Sequence, residues 1–129
     1  MPLVRISLPA TAARWSRSRI SEAVHRALVE AVGIPPDDRF QVISAHAAED
    51  LIFDPSYLGV SRSVSFMVVE ITLRRGRSPA QKRALYRAIV NNVHAATGAR
   101  VEDIMIVLHE NDPADWSFGA GVAQYAPAE

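Results

Sequence analysis

The chain has 129 residues, the length of one domain, and its 49% hydrophobic and 22% charged fractions match globular rather than disordered proteins. Its 14 basic and 14 acidic residues cancel, so no whole-chain field draws it to nucleic acid or an anionic membrane. No apolar run approaches the ~20 residues of a membrane helix, and the absence of cysteine excludes a disulfide scaffold, a thiolate nucleophile and a thiolate-held zinc or iron–sulfur centre.

The first 21 residues contain Arg5, Arg14, Arg17 and Arg19, several serines and no acid, a composition shared with transit peptides. The pattern within them is nevertheless structural. Leu3 to Leu8 alternates and is rich in branched residues, which predicts a strand. Ile20, Ala23, Val24, Ala27, Leu28 and Ala31 recur at helical spacing and form one apolar stripe. Gly33 stands where a helix ends, and Pro35-Pro36 forbids its continuation. Phe40 to Ser44 predicts the second strand, and Ala45 to Ser63 a connection with a turn at Asp54-Pro55. Phe66 to Leu73 predicts the third strand. Ser78-Pro79-Ala80-Gln81 then supplies an N-cap serine, proline at the first helical position and glutamine closing a capping box. Leu85, Ala88, Ile89, Val93 and Ala96 carry the second helix to Gly98, and Ile104 to His109 predicts the fourth strand. The remainder, 111–129, is a tail suited to a short hairpin or to covering a neighbouring subunit.

A repeat organises these elements. At an offset of 65 residues Ile6 meets Ile71, Leu8 meets Leu73, Ala23 meets Ala88, Gly33 meets Gly98, Asp38 meets Asp103 and Val42 meets Val107, without a gap. Two β-α-β units, 1–44 and 66–109, are therefore expected to pack about a pseudo-two-fold axis as one α+β domain, with Ala45 to Ser63 and the tail outside the repeat. The fold expected is a four-stranded mixed sheet with two helices on one face. Strands such as Met67-Val68-Val69 are apolar on both faces, so the uncovered face predicts an oligomer through the sheet.

Chemistry is concentrated at one end of that sheet. Removal of Met1 before the small residue Pro2 leaves a free secondary amine, which titrates near neutrality and can serve as acid, base or nucleophile. In a β-α-β unit both strands start at one end, which places Asp38 near Pro2. If the first strands of the two units pair antiparallel, Arg74, Arg75 and Arg77 arrive there too. Read without context, each residue has an ordinary explanation: Asp38 as a turn residue, the arginines as solvated strand ends, Trp116-Ser117-Phe118-Gly119 as packing. The repeat provides an internal control. Pro2 corresponds to Met67, Arg75 to Ala10 and Arg77 to Ala12, so the second unit keeps an aspartate but loses amine and arginines. The histidines at 25, 46, 94 and 109 lack metal-ligand spacing and read as structural or exposed.

With Ala27-Leu28-Val29-Glu30-Ala31-Val32-Gly33, Asp38-Arg39-Phe40-Gln41, Arg77-Ser78, Gln81-Lys82 and Asp115-Trp116-Ser117-Phe118-Gly119, the chain resembles the tautomerase superfamily, and within it the malonate semialdehyde decarboxylase subgroup. The resemblance implies Pro2 as the catalytic proline with Asp38 as its carboxylate partner, and Arg75 and Arg77 as the pair binding the substrate carboxylate. One extra residue between Arg62 and Arg75 makes Arg74 a competitor for that role, and Trp116 and Phe118 are candidate pocket walls. It also implies a homotrimer, a small carboxylate-bearing oxo acid as substrate, no cofactor, no nucleic-acid or membrane partner, and a cytoplasmic setting. A carboxylate beside the amine favours its charged form, which suits Pro2 as a proton donor during decarboxylation of a 3-oxo acid. A keto–enol tautomerase or hydratase is the alternative enzyme, and a non-catalytic interaction protein on the same fold the alternative from another class.

Overall fold

The computed structural model describes residues 1–127. Its main elements are β1 (Leu3–Pro9), α1 (Arg14–Val32), β2 (Phe40–His46), β3 (Met67–Arg74), α2 (Pro79–Thr97) and β4 (Ile104–Asn111). These are the expected elements in the expected order, with strand ends displaced by one or two residues. The strands lie in the order β2-β1-β3-β4. β1 pairs parallel with β2, β3 pairs parallel with β4, and the two units join through antiparallel β1 and β3.

Each helix forms for reasons visible in its residues. In α1, Ile20, Ala23, Val24, Ala27 and Leu28 are buried along one stripe, as are Leu85, Ile89 and Val93 in α2. These stripes meet Val4, Ile6 and Leu8 of β1 and Val69, Ile71 and Leu73 of β3 in a single core. The α2 N-terminus carries the expected capping box: Ser78 Oγ accepts from Gln81 N at 3.2 Å, and Ser78 N donates to Gln81 Oε1 at 3.0 Å. Both helices end on a glycine in the left-handed region, Gly33 at φ 71° and Gly98 at φ 74°, where a side chain would be strained.

The second face of the sheet carries the alternate residues. Phe40, Val42 and Met105 are about half exposed there (47%, 43% and 47%), alongside Arg5, Glu70 and His109.

The repeat extends further than residue identities indicate. A one-turn 3-10 helix at Ala48–Asp50 has its counterpart at Pro113–Asp115, again 65 residues on. The Asp50 N to Ala47 O bond (2.9 Å) recurs as Asp115 N to Asp112 O (2.9 Å), and Ala10 N to His46 O (2.6 Å) recurs as Arg75 N to Asn111 O (2.7 Å). The connection and tail, expected to lie outside the repeat, are thus partly its third strip. The tail is correspondingly not a hairpin among the described residues: after the 3-10 turn it folds back as turns. Phe118 there packs on Trp116, Tyr125 and Phe40 with ring centroids 5.4, 5.4 and 5.6 Å apart. Aromatic contact together with side-chain hydrogen bonds, such as Phe118 N to Gln124 Oε1 at 2.9 Å, holds this segment without strand pairing.

Candidate active site

The sheet register assembles the site. Leu3 pairs with Phe40 in the parallel direction, so the residues preceding each strand share one end of the sheet. Leu3 also pairs with Thr72 in the antiparallel direction, so residues beyond Thr72 return to that same end. The turn after α1 presents Asp38, whose N–H is held by the Pro35 carbonyl at 3.0 Å. The chain's terminal ammonium donates to Asp38 Oδ2, and the Asp38 side chain is only 12% exposed. In the full chain this ammonium belongs to Met1, which is itself buried; Pro2, also buried, follows at the mouth of β1.

Around this pair lies a cavity of about 250 Å³, lined by Met1, Ile34, Asp38, Arg74, Arg77 and Tyr125 among others. Amine, carboxylate and two arginines therefore border one cavity, at the end of the sheet where the topology brings them. Arg77 Nη1 donates to the Arg74 carbonyl at 2.9 Å. Burial, and after it the neighbouring Arg74 charge, lower Arg77 from the ordinary arginine value, while Glu110 acts in the other direction. A cation held under those conditions gains from any anion that enters.

Arg75 is not part of this cavity. Gly76 between the two arginines has φ 126°, and the flanking side chains part. Arg75 turns outward to Asp112 (3.3 Å), with both side chains 62% exposed. It lines an adjoining 430 Å³ cleft, which Arg74 and Arg77 also border. Of the two competing arginines, Arg74 reaches the amine cavity and Arg75 does not. Trp116 and Phe118 likewise line a neighbouring 390 Å³ cleft with Leu3, Phe40 and Thr72. Trp116 is fixed there by Nε1 donating to Asn111 Oδ1 at 2.7 Å. The aromatic residue that lines the amine's cavity is Tyr125, packed edge-on against Phe118. Sequence reading passed over Tyr125; a third aromatic spaced after Trp116 and Phe118 was the available signal.

The twin aspartate shows why only one end is chemically open. Asp103 is fully buried and its oxygens are taken by Ser63 N (2.7 Å) and Ser63 Oγ (2.6 Å), with Arg100 at 3.4 Å. Asp38 faces a titratable nitrogen instead. Three histidines have the structural roles expected of them: His25 bonds the Pro36 carbonyl (2.7 Å), His94 the Ala99 carbonyl (2.8 Å) and His109 lies 3.3 Å from Glu70.

Comparison with known proteins gives the family. Two family models, both described as tautomerase enzyme, match residues 2–61 and 38–119. The chain is 38% identical to Probable tautomerase YusQ of Bacillus subtilis (strain 168), over 96% of its own length and 98% of that protein. Among solved structures, it is similar to the FG41 malonate semialdehyde decarboxylase inhibited by 3-bromopropiolate, with 40% identity, TM-score 0.90, and coverage of 95% and 93% of the two chains. A further malonate semialdehyde decarboxylase, described for decarboxylase and hydratase activities, matches with 30% identity and TM-score 0.89 over 95% of each chain. No helix among the described residues is long and apolar enough to cross a membrane. The doubled β-α-β fold, the open amino-terminal end of β1 and these matches together make the chain a member of the tautomerase superfamily.

Proposed function

We propose that the mature chain, with Met1 removed, is a cofactor-independent enzyme that uses the Pro2 amine on small carboxylate-bearing oxo acids, and that its reaction is decarboxylation of a 3-oxo acid such as malonate semialdehyde. The observation carrying this reading is the terminal amine paired with Asp38 inside a cavity that also holds Arg74 and Arg77. Malonate semialdehyde decarboxylases at 40% and 30% identity lend it further support.

In this mechanism Arg77 and Arg74 bind the substrate carboxylate and orient the bond to be broken. The Pro2 ammonium, facing the Asp38 carboxylate, donates to the carbonyl oxygen at C3. As the C1–C2 bond breaks, its electron pair passes into the enol whose oxygen has taken the Pro2 proton, and CO2 leaves. A proton from solvent water then adds at C2 while the enol O–H returns its proton to the Pro2 amine, which gives the aldehyde. Tyr125 and Ile34 border the pocket.

A second reading is keto–enol tautomerisation or hydration of a related acid, favoured by the name of the Bacillus subtilis relative. It assigns Pro2 the part of a neutral base, or Asp38 that of an activator of water. Assay of malonate semialdehyde against phenylenolpyruvate, on protein whose Met1 removal is confirmed by intact mass, separates the two. Faster turnover of the first is expected; turnover of phenylenolpyruvate alone transfers the assignment to the tautomerase. The half-exposed Phe40, Val42 and Met105 on the open sheet face support assembly as a homotrimer.

A further inference from the structure

The segment that carries Arg74, Arg75 and Arg77 runs from the end of β3 to the start of α2, and one acidic side chain joins its two ends. Glu110 of β4 pairs in register with Leu73, just before the arginines. Its Oε1 also accepts from Lys82 Nζ at 2.8 Å, at the start of α2 just beyond them. Within the segment the ties are few: Arg75 N donates to the Asn111 carbonyl at 2.7 Å, and Arg77 Nη1 to the Arg74 carbonyl at 2.9 Å. The Lys82 and Glu110 side chains are 27% and 24% exposed. Among the described residues, only the terminal ammonium and Asp38 form an ion pair more enclosed on both sides. Cover of that kind limits screening by water and salt, so the pair fixes a geometry more firmly than an exposed one.

The repeat supplies a control. Moving 65 residues back carries Lys82 onto Arg17 of α1 and Glu110 onto Ala45, which pairs with Leu8 as Glu110 pairs with Leu73. There the cation is kept and its acid is missing: Arg17 Nε is buried and has no hydrogen-bond partner among the described residues. The same end carries Ala10, Thr11 and Ala12 in place of Arg75, Gly76 and Arg77. Both units fold, so the ion pair is not a requirement of the β-α-β unit. It occurs at the one end where arginines border a cavity.

We propose that Lys82 and Glu110 are positioning residues, a clamp across the strand-to-helix turn that holds Arg74 and Arg77 in place before a carboxylate enters. The inference rests on the reading of those two arginines as the holders of the substrate carboxylate. Without the clamp the turn has to be ordered at the moment of binding, and that entropy is subtracted from affinity and from orientation. Glu110 also opposes the burial and the Arg74 charge that lower Arg77, so its carboxylate acts on that guanidinium through space as well as through the turn.

The test reads two quantities on the full processed protein: the heteronuclear NOE of the Arg77 side-chain Nε–H in the free protein, and the affinity for malonate, an unreactive carboxylate, by calorimetry. Glu110→Ala and Lys82→Ala are each expected to lower the Arg77 NOE while core backbone signals persist. Each should also weaken malonate binding about fivefold, the scale of one net hydrogen bond. Glu110→Gln, which keeps an oxygen for Lys82, should recover most of both losses. The double alanine variant should be no weaker than either single one, because each removes the same clamp. Charge alone predicts the opposite sign at one position: loss of Glu110 would tighten anion binding and loss of Lys82 would loosen it. If an alanine variant fails to fold, Lys82→Met, which keeps the apolar stem, decides by the same readouts. Neither readout needs turnover, so failure to decarboxylate malonate semialdehyde would remove the proposed reaction and leave the clamp to be decided by Arg77. Absence of malonate binding in the unsubstituted protein would count against the carboxylate site, and the Arg77 NOE would again decide. The proposal is overturned if Arg77 keeps its order in both alanine variants, if Glu110→Ala tightens malonate binding, or if the two losses add in the double variant.

Discussion

At the scale of residues, the site depends on which charges have partners. Pro2 and Asp38 were legible in the sequence because their positions follow from strand order alone: a residue before β1 and one before β2 share an end in any β-α-β unit. The arginines were legible only as a group. Which of Arg74 and Arg75 borders the amine depends on where β3 ends, and the apolar pattern ends it at Leu73 whereas the strand runs on to Arg74. Arg75, spent on Asp112 in solvent, should therefore matter less than Arg77. With malonate semialdehyde as substrate, Arg77→Ala is expected to lower kcat/KM by about 10²–10³, the usual cost of removing a preorganised charge from a site. Arg75→Ala should lower it several-fold less, and equal losses would place Arg75 in the pocket. Arg77→Lys should not restore full activity, because an ammonium cannot reproduce a two-point contact with a carboxylate.

At the scale of elements, the helices were the most readable part of the chain. The capping box at Ser78 and Gln81 was written in the residues and is present as written. Ser78→Ala should cost about 1 kcal/mol of stability in urea unfolding. Helix α1 has Ala13 at its N-cap and so no side-chain cap; Ala13→Asp should gain up to about 1 kcal/mol by the same measurement. The 3-10 turns at 48–50 and 113–115 were not legible, because one turn has no periodicity and the strips around them share few identities beyond Asp50 with Asp115 and Phe53 with Phe118. The end of β4 is tied to α2 by Lys82 and Glu110, 2.8 Å apart. The hydrogen bond from Lys82 is the chief cause that lowers the Glu110 carboxyl below its ordinary value, helped by the Lys82 and Arg75 charges. A carboxyl lowered on folding stabilises the fold above its unfolded pKa and loses that contribution as pH falls through its folded one. Stability should therefore decline through the acid range below ordinary carboxylate titration, and Glu110→Gln should flatten that part of the urea-midpoint-against-pH curve.

At the scale of the whole molecule, two copies of one β-α-β unit share a sheet and a core but have diverged in charge at their ends. The repeat predicted the architecture from identities at a single offset, and it missed the extension into connection and tail because backbone geometry there outlasted the residues. Apolar side chains on the open sheet face call for a partner surface: Val42→Glu should shift the assembly to monomers in light scattering, and an unchanged mass would move the interface elsewhere. The amine end depends on a more elementary event, since the nitrogen that reaches Asp38 belongs to Met1 until that residue is cleaved. The measurement that bears most directly on the account is CO2 release from malonate semialdehyde by two preparations defined by intact mass, one starting at Pro2 and one retaining Met1. Turnover by the first at least about 10²-fold above the second is the predicted result, on the scale of a lost general acid. Equal rates from both would contradict the assignment of the Pro2 amine as the reacting group.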